Sequence, residues 1–327
     1  MKNNGSKSEA ASDKMSSDKK MFGHTRVIDF MRLRMGATAL SVLLLLGSVA
    51  TLFINGINFG LDFTGGTLIE LSYDKPANVA AVRNQLGQMG FNDAVAQEYG
   101  SANAVLIRIP GSESNATLSN QVARQLNAAY DGEITLKRVE FVGPQVGEQL
   151  RDQGGLGMLL ALALVMLYIA FRFQYKFSLG AVIALGHDSL IVLGVFSLFG
   201  LQFDLTVLAA ILAVVGYSLN DTIIVYDRVR ENFRKVRRGT PVEIINISLS
   251  QTLGRTLATS GTTIMVLLAL FFLGGDMIHN FAAALLVGVG VGTYSSIYIA
   301  SNLLLYMNIS REDLIVPVRE DEVDDMP

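Results

Sequence analysis

Asp221 stands in a run of the chain that otherwise holds no charge, since Leu205 to Leu219 contain no Asp, Glu, Lys or Arg. A carboxylate at membrane depth is costly unless it is paired, hydrated or protonated, which makes it a candidate functional group. Two roles fit: a hydrogen-bonded contact between helices made through Asn220 and Asp221, or a proton-titrating carboxylate in a transporter. Two further groups could join it. Asp188, beside His187, sits about eleven residues into its own apolar span, roughly 15 Å at helical rise, and Asp221 lies about seven residues, roughly 10 Å, from its span's end. Adjacent antiparallel helices could therefore bring the two carboxylates close, each disfavouring the other's ionisation. His187 points about 100° away from Asp188 and need not share its site, and helix packing explains the pair as well as function does. Arg255 has a depth close to that of Asp221. It either snorkels to the cytoplasmic interface or pairs with Asp221 in one protonation state and releases it in the other.

The elements that must position these groups are membrane spans. The chain has 327 residues, half of them hydrophobic, a mean hydropathy of +0.40 and only 17% charged residues, which excludes an ordinary soluble protein. It has no cysteine, hence no disulfide framework or thiolate metal site, and its three histidines are too dispersed for a metal motif. No Walker-type phosphate loop occurs, which argues against direct use of ATP. Apolar spans are expected at about Met35–Ile54, Gly154–Phe171, Phe177–Phe199, Leu205–Tyr226, Leu257–Leu273 and Ile278–Met307. Ser48-Val49-Ala50 has the small residues of a cleavage site, but more than thirty residues precede this apolar core, and a retained anchor helix is the preferred reading. Lys and Arg fall in loops of one parity: Arg172 and Lys176 after the second span, and Arg228 to Arg238 after the fourth. The opposite loops, Gly200–Asp204 and Gly274–Asn280, hold none. The positive-inside rule then places both termini in the cytoplasm. A short interfacial helix is expected between Thr240 and Gln251.

Between the first two spans the period of the pattern alternates. Thr67–Tyr73 reads as a strand, Val79–Met89 as a helix, Ala94–Tyr99 and Ala104–Ile109 as strands around a turn at Gly100–Asn103, Leu118–Ala129 as a helix and Ile134–Val142 as a strand. This βαββαβ order is that of a ferredoxin-like unit, whose sheet is expected to bury Leu68, Ile107 and Val139. The segment carries ten acids and six bases, so no basic surface points to nucleic acid. The fold class expected is a membrane α-helical bundle of six transmembrane helices with a ferredoxin-like α+β extracytoplasmic domain after the first helix. Its parts are a cytoplasmic tail over 1–34, the first helix over 35–57, the outer domain over 58–150, helices two to six over 151–307 with a basic cytoplasmic loop at 227–256, and an acidic cytoplasmic tail over 308–327.

Three stretches are specific enough to carry a resemblance. Gly60–Leu71 (GLDFTGGTLIEL), directly after the first span, resembles the signature of the SecD/SecF family of protein-export membrane proteins. Gly216–Pro241 (GYSLNDTIIVYDRVRENFRKVRRGTP) and Ser250–Thr263 (SQTLGRTLATSGTT) are similar to its SecF branch in particular. The resemblance implies half of a transporter of the RND superfamily, a transport component rather than an enzyme, in the bacterial cytoplasmic (inner) membrane. It implies SecD and the SecYEG translocon as partners, a translocating preprotein as client, and proton-motive force supporting a late stage of export, with no cofactor. By motif it implies Asp221 as the proton-responsive carboxylate, with Asn220 beside it and Arg255 as its basic associate. His187 and Asp188 fit the family pattern, and Gly60, Asp62, Gly65 and Gly66 enter as a structural or docking signature. Two other classes compete. An intramembrane aspartyl protease dyad would share a proton between Asp188 and Asp221, but Tyr217-Ser218-Leu219-Asn220 precedes Asp221 where that class resembles Gly-x-Gly. Half of a small-molecule efflux pump would need only the six helices and the outer domain.

Overall fold

The computed structural model describes residues 21–22, 25–110, 116–236, 239–310 and 312–314; the expected N-terminal tail before residue 21, and most of the acidic tail, lie outside them. Among the described residues, six helices are long and apolar enough to cross a bilayer. The chain enters the first, α1 (Arg34–Asn55), through a single 3-10 turn at Phe30–Leu33, and leaves it through Gly56. A one-turn helix α2 (Leu61–Thr64) then precedes the outer domain.

That domain consists of β1 (Gly66–Tyr73), α3 (Val79–Gln88), β2 (Val95–Tyr99), β3 (Ser101–Ile109), α4 (Ala116–Ala128) and β4 (Ile134–Val142). The strands form one antiparallel sheet in the order β2-β3-β1-β4, the arrangement of a ferredoxin-like split βαβ unit. Alternation assigns the two faces. Ile69 and Leu71 of β1 and Ile107 of β3 pack with Val82 and Leu86 of α3 and Val122 and Leu126 of α4. Leu68 is buried too, but on the opposite face, with Leu61 and Leu106. Of the three residues expected to be buried, Leu68 and Ile107 are, on opposite faces of the sheet, and Val139 is corrected: it lies on the outer strand β4 and is 41% exposed. The β2–β3 turn is also tighter than the pattern suggested. Tyr99 pairs with Ser101 around Gly100, whose φ of 68° suits glycine.

The remaining helices are α5 (Pro144–Arg172), α6 (Tyr175–Phe199), α7 (Leu205–Lys235), α8 (Pro241–Leu273) and α9 (Asp276–Tyr306). Only Gly143 separates β4 from α5, so the outer sheet runs almost directly into a membrane helix. The separate interfacial helix expected at Thr240–Gln251 does not form. No proline lies between it and the next span, Thr240 and Glu243 close a capping box at its start, and Ile244, Ile245 and Leu249 are buried in the bundle core, so α8 runs through unbroken. Asn246 accepts a hydrogen bond from Met31 N at 3.0 Å and donates to Asp29 Oδ1 at 2.8 Å, which docks the entry to α1 on this same segment.

Helix α9 packs against α6, α7 and α8, and α1 against α6. The small residues make these approaches close: a Cβ at Gly288 would overlap the side chain of Val214, one at Gly292 would lie 3.1 Å from Ser218 Cβ, and Gly194 receives Ser48 of α1. By contrast Gly290 has open space around it and does not serve this packing.

Candidate functional site

Asp221 occupies the middle of α7 and is 1% exposed. Its Oδ2 is buried without a hydrogen-bond partner, and its carboxylate makes no ion pair among the described residues. One turn toward the start of the helix, Tyr217 donates to Ser260 Oγ of α8 at 3.2 Å, and Ser260 bonds Thr293 Oγ1 of α9 at 2.7 Å. Toward the other end, Asn232 donates to Ser248 Oγ and Gln251 Oε1, each at 2.9 Å. The carboxylate thus lies between two polar networks that join α7 to its neighbours, while its own hydrogen-bonding capacity stays unfilled. A buried ionisable group left without a partner at membrane depth is a candidate functional group.

The other sequence-selected residues divide around it. Arg255 of α8 is exposed and forms no ion pair with Asp221 among the described residues. Asn220 is exposed on the outer side of α7, as is Gly216 one turn before it. Asp188 is 1% exposed, and its partners are not Asp221: Oδ2 accepts from Ser218 Oγ at 2.5 Å, and Oδ1 lies 2.9 Å from Nδ1 of His187. The expectation that antiparallel packing brings the two carboxylates together is therefore not met by a direct contact. The torsions of adjacent side chains also let His187 turn back onto Asp188 despite the 100° between their Cα positions. His187 Nε2 is buried and unpaired. Ser218, one turn from Asp221, is the group that periodicity alone did not select; a hydroxyl at i−3 from a buried carboxylate was the signal available.

The signature glycines and Asp62 form a second cluster, at the junction of the outer domain and the bundle. Gly60 N donates to Phe203 O at 2.7 Å and Phe203 N to Asn58 O at 2.8 Å, which clasps the segment after α1 to the start of α7. Asp62 Oδ2 accepts from Leu205 N at 3.0 Å, while Asp204 Oδ1 accepts from Val207 N at 2.9 Å. Two carboxylates therefore cap the N-terminus of the helix that carries Asp221, where orphan N–H groups and the helix dipole favour negative charge. Arg108 of β3 reaches Asn58 Oδ1 at 3.0 Å and Phe59 O at 2.5 Å, so the sheet grips the same clasp; desolvation by this burial holds the Arg108 guanidinium below its usual range. Removing the cap with Asp62→Ala is expected to lower stability by about 1 kcal/mol, with Asp62→Asn nearer to wild type. Thermal unfolding of the purified protein in detergent checks this, and equal melting of the Ala variant and wild type would count against the cap.

Gly65 and Gly66 take φ values of 65° and 122°, in the region that favours glycine, and they sit against backbone. A Cβ on Gly65 would lie 2.7 Å from Pro144 Cα, one on Gly66 2.5 Å from Ile109 O, and one on Gly147 of α5 2.8 Å from Gly65 N. Strand β1, the end of β3 and the start of α5 meet at these two residues.

The family model described as protein export membrane protein SecD/SecF, C-terminal, matches residues 121–310, and the SecD/SecF GG motif matches 50–77. The chain is 56% identical to the protein translocase subunit SecF of Pseudomonas aeruginosa over 301 residues, covering 92% of this chain and 98% of that one. It is 45% identical to the SecF subunit of Escherichia coli O157:H7, covering 92% and 94% respectively. Among solved structures it resembles SecDF from Thermus thermophilus, a translocon-associated membrane protein, with a TM-score of 0.80 and 38% identity. That match covers 88% of this chain but only 40% of the longer SecDF chain. SecDF in a super-membrane-facing form superposes less closely, with a TM-score of 0.65 at 37% identity. A chain matched over most of its length by SecF subunits, with the GG motif at its domain junction and six spans around Asp221, belongs to the SecD/SecF family of protein-export membrane proteins, in its SecF branch.

Proposed function

We propose that the protein works as the SecF half of a SecD–SecF complex on the SecYEG translocon, using proton-motive force to support a late stage of preprotein translocation across the cytoplasmic membrane. The observation that carries the reading is the unfilled Asp221 carboxylate, 1% exposed in the middle of a membrane helix and flanked by hydroxyl networks. Asp221 takes up and releases the proton, and Arg255 responds to its charge. Asp62 and the clasp at Asn58–Phe203 couple the helix that carries Asp221 to the outer domain, which touches the preprotein.

The bare outer side of α7 and α8 supports a partner in the membrane. Gly216, Asn220, Gly254 and Arg255 are all exposed there, and Gly254 has nothing within 4 Å of where a Cβ would be. An exposed arginine and an exposed amide at membrane depth are poorly matched to lipid tails. SecD covers this face, and small residues allow its helices to come close. Co-purification with SecD, together with gradient-stimulated translocation in vesicles lost on depleting this chain, tests the reading. Depletion that leaves stimulation intact, or that confers only drug sensitivity as an efflux subunit would, rejects it.

The orientation we propose puts both termini inside and 58–150 outside. The native chain has no cysteine, so single ones can be introduced freely. Ser101→Cys, exposed in the β2–β3 turn, is expected to react with a membrane-impermeant maleimide applied from outside, and Thr240→Cys only after the membrane is breached. The reverse pattern would invert the topology.

A further inference from the structure

Where α5 ends and α7 emerges from the bundle, two guanidinium groups share a single carboxylate and one aromatic ring. Arg172 Nη2 lies 3.4 Å from both oxygens of Asp227, and Arg230 Nη1 lies 3.6 Å from Asp227 Oδ1. Both guanidinium groups also lie over Phe173, at 5.1 Å and 5.4 Å from its centroid. Charge-assisted pairs close to about 2.7–2.9 Å when they are fully made, so neither contact is tight. The donors are correspondingly unfilled: each guanidinium has five N–H groups in a fixed fork, and Arg230 Nε is buried with no partner. Arg234, one turn beyond Arg230 on the same face, is exposed and adds its charge to that of Arg172 on Arg230. Three positive groups thus face one negative one. The basic residues on the neighbouring face are balanced differently, since Glu231 takes both Arg228 and Lys235 at 2.5 Å.

Depth identifies the occupant. Counting helical rise from Leu205, Asp227 and Arg230 lie about 33 and 38 Å along α7, beyond the roughly 30 Å thickness of bilayer hydrocarbon and so among headgroups. Below the cluster, the outer side of α5 is apolar and uncovered: Leu164 is 57%, Leu167 53% and Phe171 85% exposed. A phosphate at this level attached to acyl chains along α5 fills the donors and covers the helix together.

We propose that Arg172, Arg230 and Arg234 form a binding site for the phosphate headgroup of an anionic membrane phospholipid, whose acyl chains lie along the exposed face of α5. The site is separate from Asp221 and stands or falls independently of the proton-coupled role.

The test is lipid retention by the full chain in detergent, read by native mass spectrometry after titration with phosphatidylglycerol or phosphatidylcholine. Wild type is expected to hold phosphatidylglycerol about tenfold more strongly than phosphatidylcholine, and Arg172→Gln/Arg230→Gln to lose about tenfold of that affinity. Arg228→Gln, which removes a cation already paired with Glu231, is expected to retain wild-type binding. Should the double variant fold poorly, Arg234→Gln alters an exposed side chain only and is expected to weaken binding two- to threefold. Equal retention of the two lipids, wild-type binding by the Arg172→Gln/Arg230→Gln variant, or an equal loss in Arg228→Gln overturns the site. Displacement of phosphatidylglycerol by millimolar inorganic phosphate overturns its assignment to a lipid.

Discussion

Asp221→Asn is expected to abolish the gradient-stimulated part of translocation while the protein remains folded and bound to SecD. Asparagine keeps the size of the side chain and a hydrogen-bonding carbonyl but cannot ionise, so it separates titration from packing. The environment makes that separation clean. Asp221 makes no hydrogen bond or ion pair among the described residues, hence the amide breaks no observed contact, and it removes a group whose charged form is costly at this depth. The measurement is export of a secretory protein into membrane vesicles, with and without a proton gradient, after the ATP-driven phase has stopped and at matched SecD and SecF levels. Equal stimulation in wild type and variant would remove Asp221 from the mechanism, and loss of the complex in the variant would support a packing role instead. Arg255→Lys is expected to be only partly tolerated in the same assay, because a planar fork is exchanged for a point charge on a flexible stem.

Gly66→Ala is expected to lower stability by about 3 kcal/mol. Two costs add at this position. The φ of 122° is one that an L side chain rarely adopts, and the new Cβ would lie 2.5 Å from Ile109 O, a backbone atom held in the sheet next to Gly66's own strand. Neither is relieved by a rotamer change, because the obstacle is main chain. Stabilities of whole domains are only about 5–15 kcal/mol, so the change would be visible as a lower melting temperature and faster proteolysis of the outer domain in the full-length protein. Gly155→Ala, in open space on α5, is the control and should leave both unchanged or slightly improved. Wild-type melting in Gly66→Ala would show that the junction relaxes freely and does not rigidly join sheet to bundle.

Local pattern determined much of this architecture. Long apolar runs can satisfy their backbone in a bilayer only as helices, so the six spans follow from length and composition. Alternating and 3.6-residue periods placed the strands and helices of the outer domain within a few residues of where they stand, and Asp221 was conspicuous because charge is rare in such spans. Tertiary structure decided what periodicity does not encode. Leu68 and Ile107 are both buried but on opposite sides of the sheet, because register and not hydrophobicity assigns a face. The segment at Thr240–Gln251 has the composition of an interfacial helix, yet it joins α8 because the entry to α1 and the bundle core cover its apolar side. Asp188 was matched to Asp221 by depth along the helix axis, a one-dimensional measure; in three dimensions its Oδ2 meets Ser218 of α7 instead. The cap that Asp62 places on α7 joins residues 143 apart in sequence. A contact of that kind has no local signal, since it exists only once the clasp between Asn58 and Phe203 has brought the two helix ends together.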